Sequence, residues 1–97
     1  MDKYLSSDYS WEYVKADKCV AQIACELVYA RLVPTGATTD SALYSGRDAG
    51  GKLITGLKRS GVDDLEFSPP VPVYCPEGLF VDVGSSVDGI LVVWRNL

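Results

Sequence analysis

The sequence predicts an all-β chain: a small β-sandwich or jelly-roll-like barrel of seven or eight short antiparallel strands, carrying an extended N-terminal arm. Three observations predict it. Residues 67–83, FSPPVPVYCPEGLFVDV, place Pro69, Pro70, Pro72 and Pro76 among extended apolar residues. Proline fixes φ near −65° and donates no backbone hydrogen bond, which excludes a helix and puts Val71 to Cys75 on a sheet edge or corner. Leu79, Val81 and Val83 then alternate with Phe80, Asp82 and Gly84, the period of a strand with one buried face. Ile90 to Trp94, ILVVW, is a continuous β-branched and aromatic run suited to a central strand covered on both faces.

Taken in order, residues 1–17 form the arm and residues 18–97 the sandwich domain. In the arm, Tyr4, Tyr9, Trp11 and Tyr13 are interleaved with charged and hydroxyl side chains, and aliphatic residues are few. Such amphipathic aromatics suit an interface, so these four are the candidate partner-binding residues. The same pattern also suits a first strand or flap over the chain's own core. Residues 18–33 fit two periods. A helix would gather Val20, Ile23, Ala24, Leu27 and Val28 on one face. Strands would align Cys19, Ala21, Ile23, Cys25, Leu27 and Tyr29, with a change of face near Ala30 that needs a bulge or a break. The β-branched, tyrosine and cysteine content, followed by Pro34-Thr35-Gly36, favours two strands joined near Gln22 to Ala24.

Further strands are predicted at Ser41 to Tyr44 and Lys52 to Leu57, separated by the turn-rich SGRDAGG with its Gly50-Gly51 signal. Ser60 to Asp63 turns the chain again, and Leu65 and Phe67 share one side of the next strand. Pro76-Glu77-Gly78 makes a turn, and Val83 to Gly89 is read as the last loop.

Composition narrows function by exclusion. The 97 residues carry a net charge of −4, and their nine basic side chains form no stripe that would track phosphates, so nucleic acid is not an expected partner. No apolar run approaches the ~20 residues that span a bilayer, and the N-terminus lacks a signal-type apolar core; a soluble product made in the cytoplasm is expected, with no membrane partner. Histidine is absent, which removes the Ser-His and Cys-His schemes for nucleophilic catalysis. Asp63, Asp64 and Glu66 could be paired for acid–base work but read more simply as a solvated turn. Asp40, Asp48, Asp82 and Asp88 suit a hard cation, yet form no contiguous DxDxDG loop. No enzyme activity and no cofactor are expected. Cys19, Cys25 and Cys75 form no CxxC pair. They are read as buried thiols, or, if their strands are neighbours, as a Cys25–Cys75 disulfide plus one free cysteine.

The order of elements resembles a family of small β-sandwich proteins encoded among the structural genes of tailed bacteriophages. The resemblance covers roughly residues 25 to 95. It rests on an "LYxG" strand at Ala42-Leu43-Tyr44-Ser45-Gly46, a glycine-rich hairpin into Leu53-Ile54-Thr55-Gly56-Leu57, and the proline segment. Then come Gly78-Leu79-Phe80-Val81, the small-residue turn Gly84-Ser85-Ser86, and the terminal Val92-Val93-Trp94. Phe80 stands where tyrosine is more usual, and residues 1–17 have no fixed counterpart. The resemblance implies a non-enzymatic virion component, foremost a capsid decoration or cement protein that binds the major capsid protein or other virion proteins. A head-tail or tail component is the nearer alternative. A homo-oligomer is expected because a small domain with an aromatic arm gains burial by association. A reading of another class is a carbohydrate- or receptor-binding sandwich, with Tyr44, Tyr74, Phe80 or Trp94 stacking on a sugar ring.

Overall fold

The computed structural model describes residues 9–36, 38–60 and 63–97. Among them are nine strands and no helix: β1 (Ser10–Val14), β2 (Lys18–Ala21), β3 (Cys25–Pro34), β4 (Thr38–Ser45), β5 (Lys52–Ser60), β6 (Leu65–Phe67), β7 (Val73–Cys75), β8 (Leu79–Asp82) and β9 (Val87–Asn96). They form two antiparallel sheets. One has the order β1-β9-β3-β6, with β7 also on β3, and the other runs β2-β8-β4-β5. β6 and β7 share one side of β3, the first beside Ala30 to Leu32 and the second beside Cys25 to Leu27.

The sandwich core is filled from both sheets. Val14, Cys25, Leu27, Ala30, Leu32, Cys75, Ile90, Val92 and Trp94 meet Ala21, Leu43, Leu57, Leu79, Val81 and Val83 in one buried cluster. Each large aliphatic side chain buried here removes enough apolar surface from water to contribute about 2 kcal/mol. Two hydroxyls are also interior, and both are satisfied. Thr39 Oγ1 donates to the Leu57 carbonyl at 3.1 Å, and Ser41 donates to the carbonyl of Val83.

Residues 18–33 are two strands, with the break at residues 22–24 where the chain passes from one sheet to the other. The change of face is real. Cys25 and Leu27 point inward, the register with β9 shifts between Leu27 and Tyr29, and Ala30 and Leu32 then point inward. One extra residue in a strand of side-chain period two moves the buried set from odd to even positions.

Three boundaries differ from expectation. The strands expected over Ser41 to Tyr44 and Lys52 to Leu57 both run longer, as β4 and β5, because Thr38 to Asp40 pair with Ser60 to Lys58 beyond the expected ends. The final loop is shorter than Val83 to Gly89, since Val87 already pairs with Pro34 of β3. Gly89 belongs to a strand because a neighbour covers it: a β-carbon at Gly89 would lie 2.5 Å from the Tyr13 ring. An aromatic across the ladder thus supplies the surface that the glycine lacks.

The expected burial of β9 on both faces is corrected. β9 is central, between β1 and β3, and Ile90, Val92 and Trp94 are buried, but Leu91 and Val93 on the other face are only half-buried. Nothing in the described chain lies over them as a further layer.

Of the two readings of residues 1–17, the described part is a strand of the chain's own sheet. Ser10 to Val14 pairs with Trp94 to Ile90, and Asp17 accepts a hydrogen bond at 2.9 Å from the Val83 amide at the end of β8.

Candidate functional site

β1 carries its side chains alternately. Val14 enters the core, and Glu12 on that side holds Lys18 at 2.7 Å. Tyr9, Trp11 and Tyr13 take the opposite face, where Trp11 is 70 % exposed. Directly across the ladder, Trp11 pairs with Val93 and Val93 with Tyr29, while Tyr13 pairs with Leu91 and Leu91 with Arg31. Partners opposite one another share a face, so two adjacent rows cross β1, β9 and β3: Trp11–Val93–Tyr29 and Tyr13–Leu91–Arg31.

Polar groups frame these rows. Arg95 Nη2 lies 2.8 Å from Glu26 Oε1, and Arg31 Nε lies 2.8 Å from Asp64 Oδ2. Tyr29 donates to Glu66, and Tyr13 donates to Asp88 Oδ2 at 2.6 Å. Exposed ion pairs of this kind contribute little to stability, about 0–1 kcal/mol each. Their effect is to leave a flat, mainly apolar centre with a polar margin, the anatomy of a protein-binding surface. Among the described residues β1 pairs on one side only, which makes it the sheet edge beside Trp11.

The four sequence candidates thus have different fates. Trp11 and Tyr9 are exposed on the face; Tyr13 lies on it but is held by Gly89 and Asp88; Tyr4 lies outside the described residues. Sequence reasoning missed Tyr29, Leu91 and Val93. The signal was the ILVVW run itself, whose outward members have no covering layer among the described residues.

Burial, then the hydrogen bond to Asp88, pushes the Tyr13 phenol up from 10 to about 12. Its folded-state value lies above its unfolded one, so the neutral ring stabilises the fold below about pH 10, and that contribution is lost as pH rises toward 12. Between pH 9 and 12, the thermal midpoint of Tyr13→Phe should fall less steeply than that of the parent chain. Parallel curves would mean that neither burial nor Asp88 raises the Tyr13 phenol in solution. Tyr29 is shifted the same way, first by its bond to Glu66 and then by burial; it leaves some alkaline slope in both proteins.

A second feature is a cleft of about 590 Å³ between the edge strands of the two sheets, lined by Leu53 and Ile54 of β5 and by Phe67, Val73, Tyr74, Pro76 and Glu77. Tyr74 is 60 % exposed beside it. The other proposed sugar platforms are engaged elsewhere. Trp94 is buried, its indole N–H without an acceptor among the described residues, and Tyr44 packs against Phe80 with ring centroids 6.4 Å apart.

The acidic candidates disperse. Asp40 pairs with Lys58 at 3.5 Å, Asp48 accepts the Gly50 amide at 2.8 Å, and Asp88 takes the Tyr13 hydroxyl. Burial and the nearby Asp17 raise Asp82. Among the described residues, no group of three or more metal-ligating side chains is placed to hold a metal ion, and no helix is long and apolar enough to cross a membrane.

Fold and face together define the class: a two-sheet all-β protein with an apolar, polar-rimmed sheet face open on one side. Comparison with family models, with curated proteins and with solved structures finds no match to the chain.

Proposed function

We propose that the chain is a non-enzymatic structural protein of a tailed-bacteriophage particle, a decoration or cement protein that binds the major capsid protein on the outer shell. The observation that carries this reading is the uncovered outer face of β9, where Leu91 and Val93 lie between Trp11 and Tyr29. A run as apolar as ILVVW at the centre of a sheet is suited to cover on both sides, and the partner's surface supplies the second cover. Trp11, 70 % exposed at the end of the row through Val93, is of the residue type that dominates binding energy. Self-association through the open β1 edge belongs to the same reading, and light scattering at high concentration tests it.

The deciding experiment is quantitative mass spectrometry of purified particles, with copies counted against the major capsid protein. A copy number comparable to the shell protein supports a coat. A small fixed number set by the symmetry of the tail would move the assignment to the head-tail junction or tail, and absence from particles would overturn the virion reading.

The exposure of Tyr74 at the cleft favours a second reading, a glycan- or receptor-binding sandwich. Specific binding on a glycan array, lost in Tyr74→Ala with the thermal midpoint unchanged, is what that reading requires.

A further inference from the structure

The three cysteines are thiols, and two of them are direct cross-strand partners: Cys25 of β3 faces Cys75 of β7. Opposed residues of an antiparallel pair have Cα atoms about 4.5–5.5 Å apart and side chains on the same face. That separation is within the 4.4–6.8 Å range that a disulfide spans. Both side chains point into the core at 0 % exposure. Opposed positions with inward side chains put the two sulfurs on the same face of the sheet, inside the core, where Cys75 Sγ lies 3.5 Å from the Val73 carbonyl. Cys19 is on β2 in the other sheet, with its Sγ 3.1 Å from the Ala21 carbonyl.

We propose that Cys25 and Cys75 are an oxidisable pair that closes to a disulfide when the protein passes from a reducing to an oxidising solution, stapling β7 to β3. The oxidant is a small-molecule disulfide of the glutathione type. The Cys75 thiolate attacks one sulfur of that disulfide, forming a mixed disulfide and releasing one small thiolate. The Cys25 thiolate then attacks the Cys75 sulfur and releases the second. The protein pair loses two protons and two electrons, and the added disulfide is reduced to two thiols.

The order of attack follows first from access, since Cys75 is on the edge strand β7 whereas Cys25 is on β3 between β9 and β7, and the closed-state surroundings agree with it. The neighbouring Cys25 thiol, with Ser45 and the Leu27 backbone, lowers the Cys75 pKa below that of an ordinary thiol and so makes Cys75 the more acidic of the two, while the same neighbour and burial push Cys25 up. Access comes through β7, a three-residue edge strand held by β3 alone and flanked by Pro72 and Pro76, neither of which can extend the ladder. Short edge strands of this kind open locally at a small fraction of the global unfolding cost.

Closure would act on the cleft, because Val73, Tyr74, Pro76 and Glu77 of its wall lie on or next to β7. The loop closed is long, about 50 residues, which favours a large effect on the unfolded chain. This inference does not depend on the virion reading and holds for any partner.

The test uses the whole chain, incubated with oxidised glutathione or with dithiothreitol. Expected after oxidation is a mass loss of two hydrogens, peptide mapping that joins Cys25 to Cys75 and leaves Cys19 free, and a thermal midpoint raised on the order of 10 °C. Cys19→Ser should behave as the parent chain does. Cys25→Ala and Cys75→Ala, two separate variants in case one folds poorly, should each fail to gain the bond or the shift. Two free thiols at Cys25 and Cys75 after equilibration with oxidant, a bond to Cys19, or a lowered midpoint in the Cys25–Cys75 form would each overturn the proposal.

Discussion

Gly78→Ala is expected to destabilise the fold by roughly 2–5 kcal/mol, combining left-handed backbone strain with forced displacement of packed backbone. In a domain of this size that is a fall of the order of 15 °C in thermal midpoint. Gly78 has φ +133°, a region that side-chain-bearing residues rarely adopt. A β-carbon there would lie 2.3 Å from the Ala21 carbonyl oxygen and 3.3 Å from that of Gly46. The Gly78 carbonyl also accepts the Gly46 amide at 3.0 Å. Three connections therefore meet at this point: the end of β2, the turn after β4 and the entry to β8. Because the obstruction is backbone, no rotamer change relieves it. Glu77→Ala, one residue away and exposed, should move the midpoint little, within about 0.5 kcal/mol. Equal, small effects of the two substitutions in a thermal or urea melt would mean that these connections are looser than their contacts imply.

The turn at Pro76-Glu77-Gly78 was legible in the sequence, because proline and glycine report backbone geometry directly. So was the alternation at Leu79, Val81 and Val83, all buried, since period two is a local property. The face change in β3 was legible for the same reason: the apolar set changes parity, and only an added residue reconciles that with one buried side.

Strand partners were not legible in the same way. Nothing local to β9 says that it lies between β1 and β3, or that β2 pairs with β8, because those contacts join residues far apart in the chain. Gly89 was read as loop because glycine ordinarily interrupts strands, and the ring that covers it comes from Tyr13 in another strand. The opposed Cys25 and Cys75 show the boundary clearly. Their pairing was conditional on which strands are neighbours, and β7 beside β3 supplies the neighbour but not the oxidation state.

The binding face was half legible. Tyr9, Trp11 and Tyr13 stood out as aromatics without an aliphatic core, but Leu91 and Val93 were hidden inside a run that reads as buried. Apolar periodicity records that a face needs cover; it does not record whether the cover belongs to the same chain. Tyr13 illustrates the converse, an interface-type residue that its own sheet partly takes up through Gly89 and Asp88.

Trp11→Ala is therefore the substitution expected to act on binding with the least effect on folding. Trp11 is 70 % exposed and pairs through its backbone with Val93, so alanine keeps the strand and removes only an outward indole. An exposed tryptophan that seats in a partner surface contributes about 2 kcal/mol, so affinity for capsids lacking this chain should fall about 30-fold. Co-sedimentation with such capsids measures it, beside a thermal melt that should stay within a few degrees of the parent. Deleting residues 1–17 is a poorer probe, because it also removes β1 and Val14 from the sheet and confounds docking with stability. Val93→Asp places a charge at the centre of the same rows and should abolish docking, whereas Lys58→Ala, on β5 of the other sheet, should leave it intact. A contact dominated by apolar burial should also change little as salt is raised, since only the rim charges are screened. Undiminished capsid binding by both Trp11→Ala and Val93→Asp would remove this face from the assignment, and binding lost steeply with salt would point to a charged contact instead.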